Sequence, residues 1–94
     1  MNINTDKYNR TETEMFLITA MKEYYSIYWG IVKKGPKEAF YLITDKEYME
    51  TVYDQVMERA KKRIDKKKRS SIDFEWVRLE VMTIHTKALV LAYM

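Results

Sequence analysis

Residues 71–94, SIDFEWVRLEVMTIHTKALVLAYM, decide the fold class. Read with a period of two, Ile72, Phe74 and Trp76 alternate in a stretch rich in β-branched and aromatic residues. That pattern favours a C-terminal hairpin within 72–94 and an α+β chain. Read with a helical period, Phe74, Val77, Val81, Ile84, Ala88 and Leu91 recur at alternating three- and four-residue spacing. Turn chemistry separates the two readings. No Gly, Pro or Asn occurs between 72 and 94 to reverse a strand. Ser71 stands where a cap is needed, and Asp73 and Glu75 suit the positive first turn of a helix. The segment therefore predicts a helix over about 72–93.

Upstream, Met49, Tyr53, Val56, Ala60 and Ile64 form one apolar stripe, with Val52 and Met57 at its edges and Glu50, Asp54, Glu58 and Lys61 pointing away. Behind a capping box at Thr44–Glu47, this predicts a helix over about 45–68. Ile18, Met21, Tyr25, Tyr28 and Val32 form a second stripe, with Leu17, Tyr24 and Ile31 beside it. With Thr11 and Glu14 as a capping box and Gly35-Pro36 as a stop, it predicts a helix over about 12–33. Pro36 suits the start of a short helix at about 37–43. Residues 1–10 are polar and aperiodic and are expected as a loose arm, with 11–94 as a single helical domain. Short connections make sequence neighbours antiparallel, so the expected fold is an all-α, small antiparallel helical bundle.

With 94 residues there is no room for two cores, and 47% hydrophobic with 33% charged residues describes a globular chain. A chain of this size buries only about 60–65% of its unfolded surface. The run Ala88–Met94 is apolar at every position, so that helix end is hydrophobic around its whole circumference. Together these predict a homo-oligomer, a homodimer being the simplest.

The formal charge of +3 conceals a segregation. Residues 59–69 carry eight basic groups and one acidic, a local +7, while the rest of the chain is net −4. Helical spacing would set Arg59, Lys62, Arg63 and Lys66 along one flank, with Lys67, Lys68 and Arg69 fanning out at the tip. Such an array neutralises backbone phosphates and releases counterions without reading base sequence. A solvated helix end that offsets the dipole is the plainer account, but +7 in eleven residues exceeds what a dipole needs.

Thirteen aromatics, eight of them tyrosine, are the second oddity. Tyr25 and Tyr28 fall on the apolar stripe and are expected in the core. Tyr24, Trp29, Trp76 and Leu91 are the expected protein-interface residues, since large aromatics anchor interfaces at low entropy cost.

Other chemistries lack their residues. There is no cysteine, hence no disulfide, thiol nucleophile or cysteine-bound zinc, and two glycines cannot build a phosphate loop. A single histidine, His85, supports neither a histidine metal site nor a serine–histidine–acid set. Glu47, Glu50, Asp54 and Glu58 follow one helical edge and would need a second copy to complete a metal shell. No cofactor, metal or small-molecule substrate is expected. The first apolar run, from Met15, is broken by Thr19, Lys22 and Glu23, and no stretch reaches the roughly 18 apolar residues of a membrane span. The chain is expected to be cytoplasmic, with no membrane partner.

Arg78 lies seven residues before His85, on the same helix face. This R-x6-H spacing resembles that of the HEPN ribonucleases, all-α dimers that cut RNA with arginine and histidine across a dimer interface. The resemblance covers two residues, and Leu79 stands where that family usually has a polar residue. It implies a minimal dimeric ribonuclease acting through Arg78 and His85.

The expected function is a non-enzymatic helical interaction protein that engages nucleic acid or a nucleoprotein complex through its basic helix end. Compact, motif-free chains of this kind are often accessory or inhibitory proteins of phages and plasmids, viral or mobile-element products. A pure protein-binding inhibitor or immunity-type bundle is the main alternative, and the ribonuclease a third.

Overall fold

The computed structural model describes residues 2–93. Met1 and Met94, the outer ends of the expected arm and of the apolar run, lie outside the described residues, as does the side chain of Tyr93. The chain forms α1 (Arg10–Val32), α2 (Pro36–Thr44), α3 (Lys46–Lys61), a 3-10 segment (Lys66–Ser71) and α4 (Phe74–Tyr93). No strand occurs among the described residues, so the hairpin alternative does not form. The fold is an all-α bundle.

Asn or Asp starts three of the helices and the 3-10 segment. Asn9 accepts the amide of Glu12 at 2.9 Å, Asp45 that of Tyr48 at 3.1 Å, Asp65 that of Lys67 at 3.0 Å and Asp73 that of Trp76 at 3.1 Å. The threonine and serine caps expected from sequence are displaced. Thr44 instead donates to the Phe40 carbonyl at 2.6 Å, and Ser71 donates to Lys68 O and to the Glu12 carboxylate. A nearby Asx side chain does the capping in each case, leaving the hydroxyls to bond elsewhere. At the α1–α2 corner Gly35 takes φ 108°, with no atom within 4 Å of where a Cβ would stand. Backbone conformation, not space, requires glycine there, and Pro36 opens α2 at once.

The three long helices set the frame. α1 and α4 run parallel: the Asp73 amide donates to the Thr13 hydroxyl at 3.1 Å, Phe16 meets Phe74 edge-on at 5.0 Å, and Tyr24 meets His85 at 2.5 Å. α3 runs antiparallel to both, with Arg63 against Glu23, Lys61 over the Phe74 ring and Arg78 against Glu50. α2 closes the end of the bundle where α1 finishes, and the 3-10 segment closes the end where α1 and α4 begin. Just before α1, Asn9 donates its amide to the Ser71 carbonyl at 2.7 Å. The molecule is elongated, 43 × 25 × 19 Å.

Phe16, Val56, Val77 and Val81 are the largest apolar side chains fully enclosed. On α3 the apolar stripe is the buried face: Met49, Val52, Tyr53, Val56, Met57 and Ala60 are all buried. On α1 the buried face is Thr13, Phe16, Ala20, Glu23, Tyr24 and Ile31, whereas Ile18 and Tyr25 are each 59% exposed. The expected stripe is therefore turned by about one residue, ~100° of helix. Apolar residues occupy every side of α1, so period does not choose a face. Small Thr13 and Ala20, together with partners for Glu23 and Tyr24, do choose it. On α4 the stripe turns after Val81 onto His85, leaving Ala88 and Leu91 in solvent.

Candidate functional site

The basic segment does not form one helical flank. α3 ends at Lys61, because beyond Ala60 only Ile64 remains to bury and Asp65 caps a new segment. A 3-10 helix turns once in three residues, so Lys66, Lys67 and Lys68 point outward about 120° apart. The expected flank does not form, and Lys66 joins the fan at the tip.

The structure divides the expected phosphate-binding residues into two groups. Arg63 is held: its Nε lies 2.5 Å from Glu23, whose side chain is only 8% exposed. Arg69 folds inward, donating from Nη2 to the Lys61 carbonyl at 2.9 Å, with its Nε buried. These two arginines stitch the basic pole to the bundle. Arg59, Lys62, Lys66 and Lys67 are exposed, and Lys68 joins them. None of these five cations has a side-chain ion pair among the described residues. Lys61 is occupied over the ring of Phe74 at 4.7 Å. Arg63 and Arg69, expected among the free cations, are held within the fold, whereas Lys68 at the tip is exposed.

The expected protein-interface residues also separate. Tyr24 is a core residue, 3% exposed, and faces no partner. Trp76 is half-buried, packs against the core near the start of α4 and lines a 300 Å³ pocket with Ile3 and Arg10. Trp29 and Leu91 remain, 61% and 86% exposed. Both lie toward the end opposite the basic fan, where an open cleft of 710 Å³ is lined by Tyr28, Val32, Pro36, Phe40 and Tyr41. Tyr25, expected in the core, is on the surface. The molecule is thus bipolar, cationic at one end and aromatic at the other.

Arg78 and His85 are both committed within the fold. Arg78 Nη2 lies 2.6 Å from Glu50 and 3.1 Å from Asp54, and its guanidinium sits 5.7 Å from the Tyr53 ring centre. The Glu50 hydrogen bond holds its pKa above the ordinary arginine value. His85 is 2% exposed, and its Nε2 lies 2.9 Å from the Ile43 carbonyl. A carbonyl only accepts, so Nε2 carries a proton and donates, and in that tautomer Nδ1 accepts from Tyr24. Both ring nitrogens are thus engaged within the fold. Glu50 and Asp54 are taken up by Arg78, and no group of three histidine or acidic side chains is placed to hold a metal among the described residues.

Burial pushes the Tyr24 hydroxyl well above the ordinary phenol range, with Tyr28, Tyr53 and Tyr25 adding to the effect. Burial raises Tyr53 too, reinforced by Glu50 and opposed by Arg78.

No family model, curated protein or solved structure matches this chain. No described helix is long and apolar enough to cross a membrane.

Proposed function

We propose that this chain is a non-enzymatic, two-ended adaptor: its basic pole binds the phosphate backbone of nucleic acid, and its aromatic pole docks protein. The observation that carries the reading is the set of five exposed cations, Arg59, Lys62, Lys66, Lys67 and Lys68, with no side-chain ion pair of their own among the described residues. The helix end does not require the four lysines among them, since Arg63 and Arg69 already tie that end down and Arg59 and Lys61 already stand in the last turn of α3. A three-way fan of lysines has no planar fork aimed at base edges, so it reads charge rather than sequence. Two to five phosphate contacts give a log–log salt slope between about −2 and −4.5 on duplex DNA.

The aromatic pole supplies the second contact, to a nucleoprotein partner or to another copy of the chain. The cysteine-free composition fits a cytoplasmic setting, and the small, site-free body fits an accessory or inhibitory protein of a phage or plasmid. Titrating labelled duplex DNA and RNA with the protein across a salt series tests the reading. Binding that is indifferent to sequence and weakens linearly in log salt supports it. No binding at about 50 mM salt removes it, and the pure protein-binding inhibitor is then the better account.

A further inference from the structure

The aromatic pole holds two complementary shapes. One is the open cleft of 710 Å³ between the end of α1 and α2, floored by Tyr28 and Val32 and walled by Phe40 and Tyr41. A turn of helix fills roughly 400–500 Å³, from its ~10 Å diameter and 5.4 Å pitch, so the cleft admits about a turn and a half. The other is the end of α4. His85 lies level with Tyr24, and α4 continues two turns further, to Tyr93, with Val90 47% and Leu91 86% exposed. An exposed apolar pair and an open apolar cleft at the same end of one chain suit a closed two-fold contact, because each can face the other across the axis.

Area points the same way. Trp29, Phe40, Tyr41, Val32, Val90 and Leu91 are 61%, 43%, 67%, 37%, 47% and 86% exposed. With about 150–250 Å² for each aromatic and somewhat less for each aliphatic, they present on the order of 600 Å². Buried together in a two-fold contact, that is most of the ~800 Å² each partner gives to a standard interface. The rim carries both signs, with Lys34, Lys37 and Glu38 beside Tyr41, so a reversed copy does not meet a field of one sign.

We propose that the occupant of this pole is a second copy of the chain, with Val90 and Leu91 of each protomer seated in the Phe40–Tyr41 cleft of its partner. The pairing is end to end, so it leaves the two basic fans at opposite extremes. Two bodies 43 Å long place those fans on the order of 70–80 Å apart. A duplex of about 15 base pairs, ~50 Å long, cannot reach both. On duplexes of that length the dimer therefore bridges two separate molecules; this consequence, unlike the pairing, rests on the phosphate-binding reading above.

Sedimentation of the full chain tests the pairing without nucleic acid. The wild type is expected as a dimer, and Leu91→Asp and Tyr41→Asp each as monomers with unchanged helical circular dichroism, since both side chains are solvent-exposed. The absence of native cysteine permits a positional check. A Leu91→Cys chain mixed with a Tyr41→Cys chain should form the mixed disulfide faster than the same chains carrying the cysteine at Lys87 and Glu58. A wild-type monomer at about 1 mM overturns the proposal and assigns the pole to a different protein. A dimer that ignores both aspartate variants and forms no mixed disulfide also overturns it. For bridging, two differently labelled 15-base-pair duplexes should be captured together by the wild type, while Leu91→Asp binds each singly. If the protein dimerises but binds neither duplex, the phosphate reading fails and the pairing stands.

Discussion

Tyr24 donates its hydroxyl proton to Nδ1 of His85 across 2.5 Å, joining α1 to α4 at the centre of the bundle. The opposite ring nitrogen donates to the Ile43 carbonyl at the end of α2. One buried imidazole therefore ties three helices and fixes its own tautomer. Tyr53 and Tyr28 also lie edge-on to the ring, at 6.0 and 6.3 Å. This arrangement makes His85 part of the packed interior of the bundle.

Removing His85 should therefore unfold rather than inactivate. His85→Ala opens a cavity and strands the Tyr24 hydroxyl and the Ile43 carbonyl, a destabilisation of about 3–5 kcal/mol. Tyr24→Phe strands only Nδ1 and should cost about 1–2 kcal/mol. Urea denaturation reads both. A fully stable His85→Ala protein that has lost an RNA-cleaving activity would instead support the ribonuclease reading.

Alkaline pH should destabilise the fold. Tyr24 and Tyr53 have folded-state pKa values raised above the ordinary phenol value of 10.0. The unfolded chain thus releases these protons first, and the folded state binds more protons than the unfolded above about pH 10. Stability is complete below that value and falls as pH rises through the raised folded pKa values. Melting temperature measured from pH 8 to 11.5 should be flat and then decline, with a shallower decline in Tyr24→Phe measured against its own pH 8 value. A melting temperature that does not fall between pH 10 and 11.5 would contradict the burial of these hydroxyls.

Neighbouring cations should differ in what they do for stability. Arg63→Gln leaves the buried Glu23 carboxylate unpaired and should cost about 1–2 kcal/mol, moderated because Arg63 itself is 67% exposed. Lys62→Gln, one residue earlier, removes the same charge from an unpaired side chain and should stay within about 0.5 kcal/mol. Equal effects in chemical denaturation would mean that the Arg63–Glu23 pair is not formed.

The contrast between α3 and α1 explains how much of the fold is legible in the sequence. On α3, charged Glu50, Asp54 and Glu58 leave only one face able to bury, so Met49 to Ala60 can be read directly. On α1, apolar side chains surround the axis, and the buried face depends on Glu23 and Tyr24 finding Arg63 and His85 far along the chain. No local period carries that information. The helix at 74–93 is legible because a hairpin needs a turn residue that is absent, yet its last turns are not, since His85 replaces Ile84 on the buried face. The basic segment is legible as charge but not as shape. Asp65 ends the α-helical path there, so the expected flank does not form, and Arg63 and Arg69 are tied to Glu23 and the Lys61 carbonyl.

The most direct test of the basic pole is the salt dependence of duplex binding by the wild type and by Lys62→Gln/Lys66→Gln/Lys67→Gln, a variant that spares both stitching arginines. The wild type should bind unrelated sequences equally, with a log–log salt slope between about −2 and −4.5. The triple variant should keep its melting temperature, weaken on every sequence alike, and show a slope shallower by about 0.9 for each phosphate no longer neutralised. Unchanged affinity and slope in the triple variant, or no wild-type binding at about 50 mM salt, would contradict it.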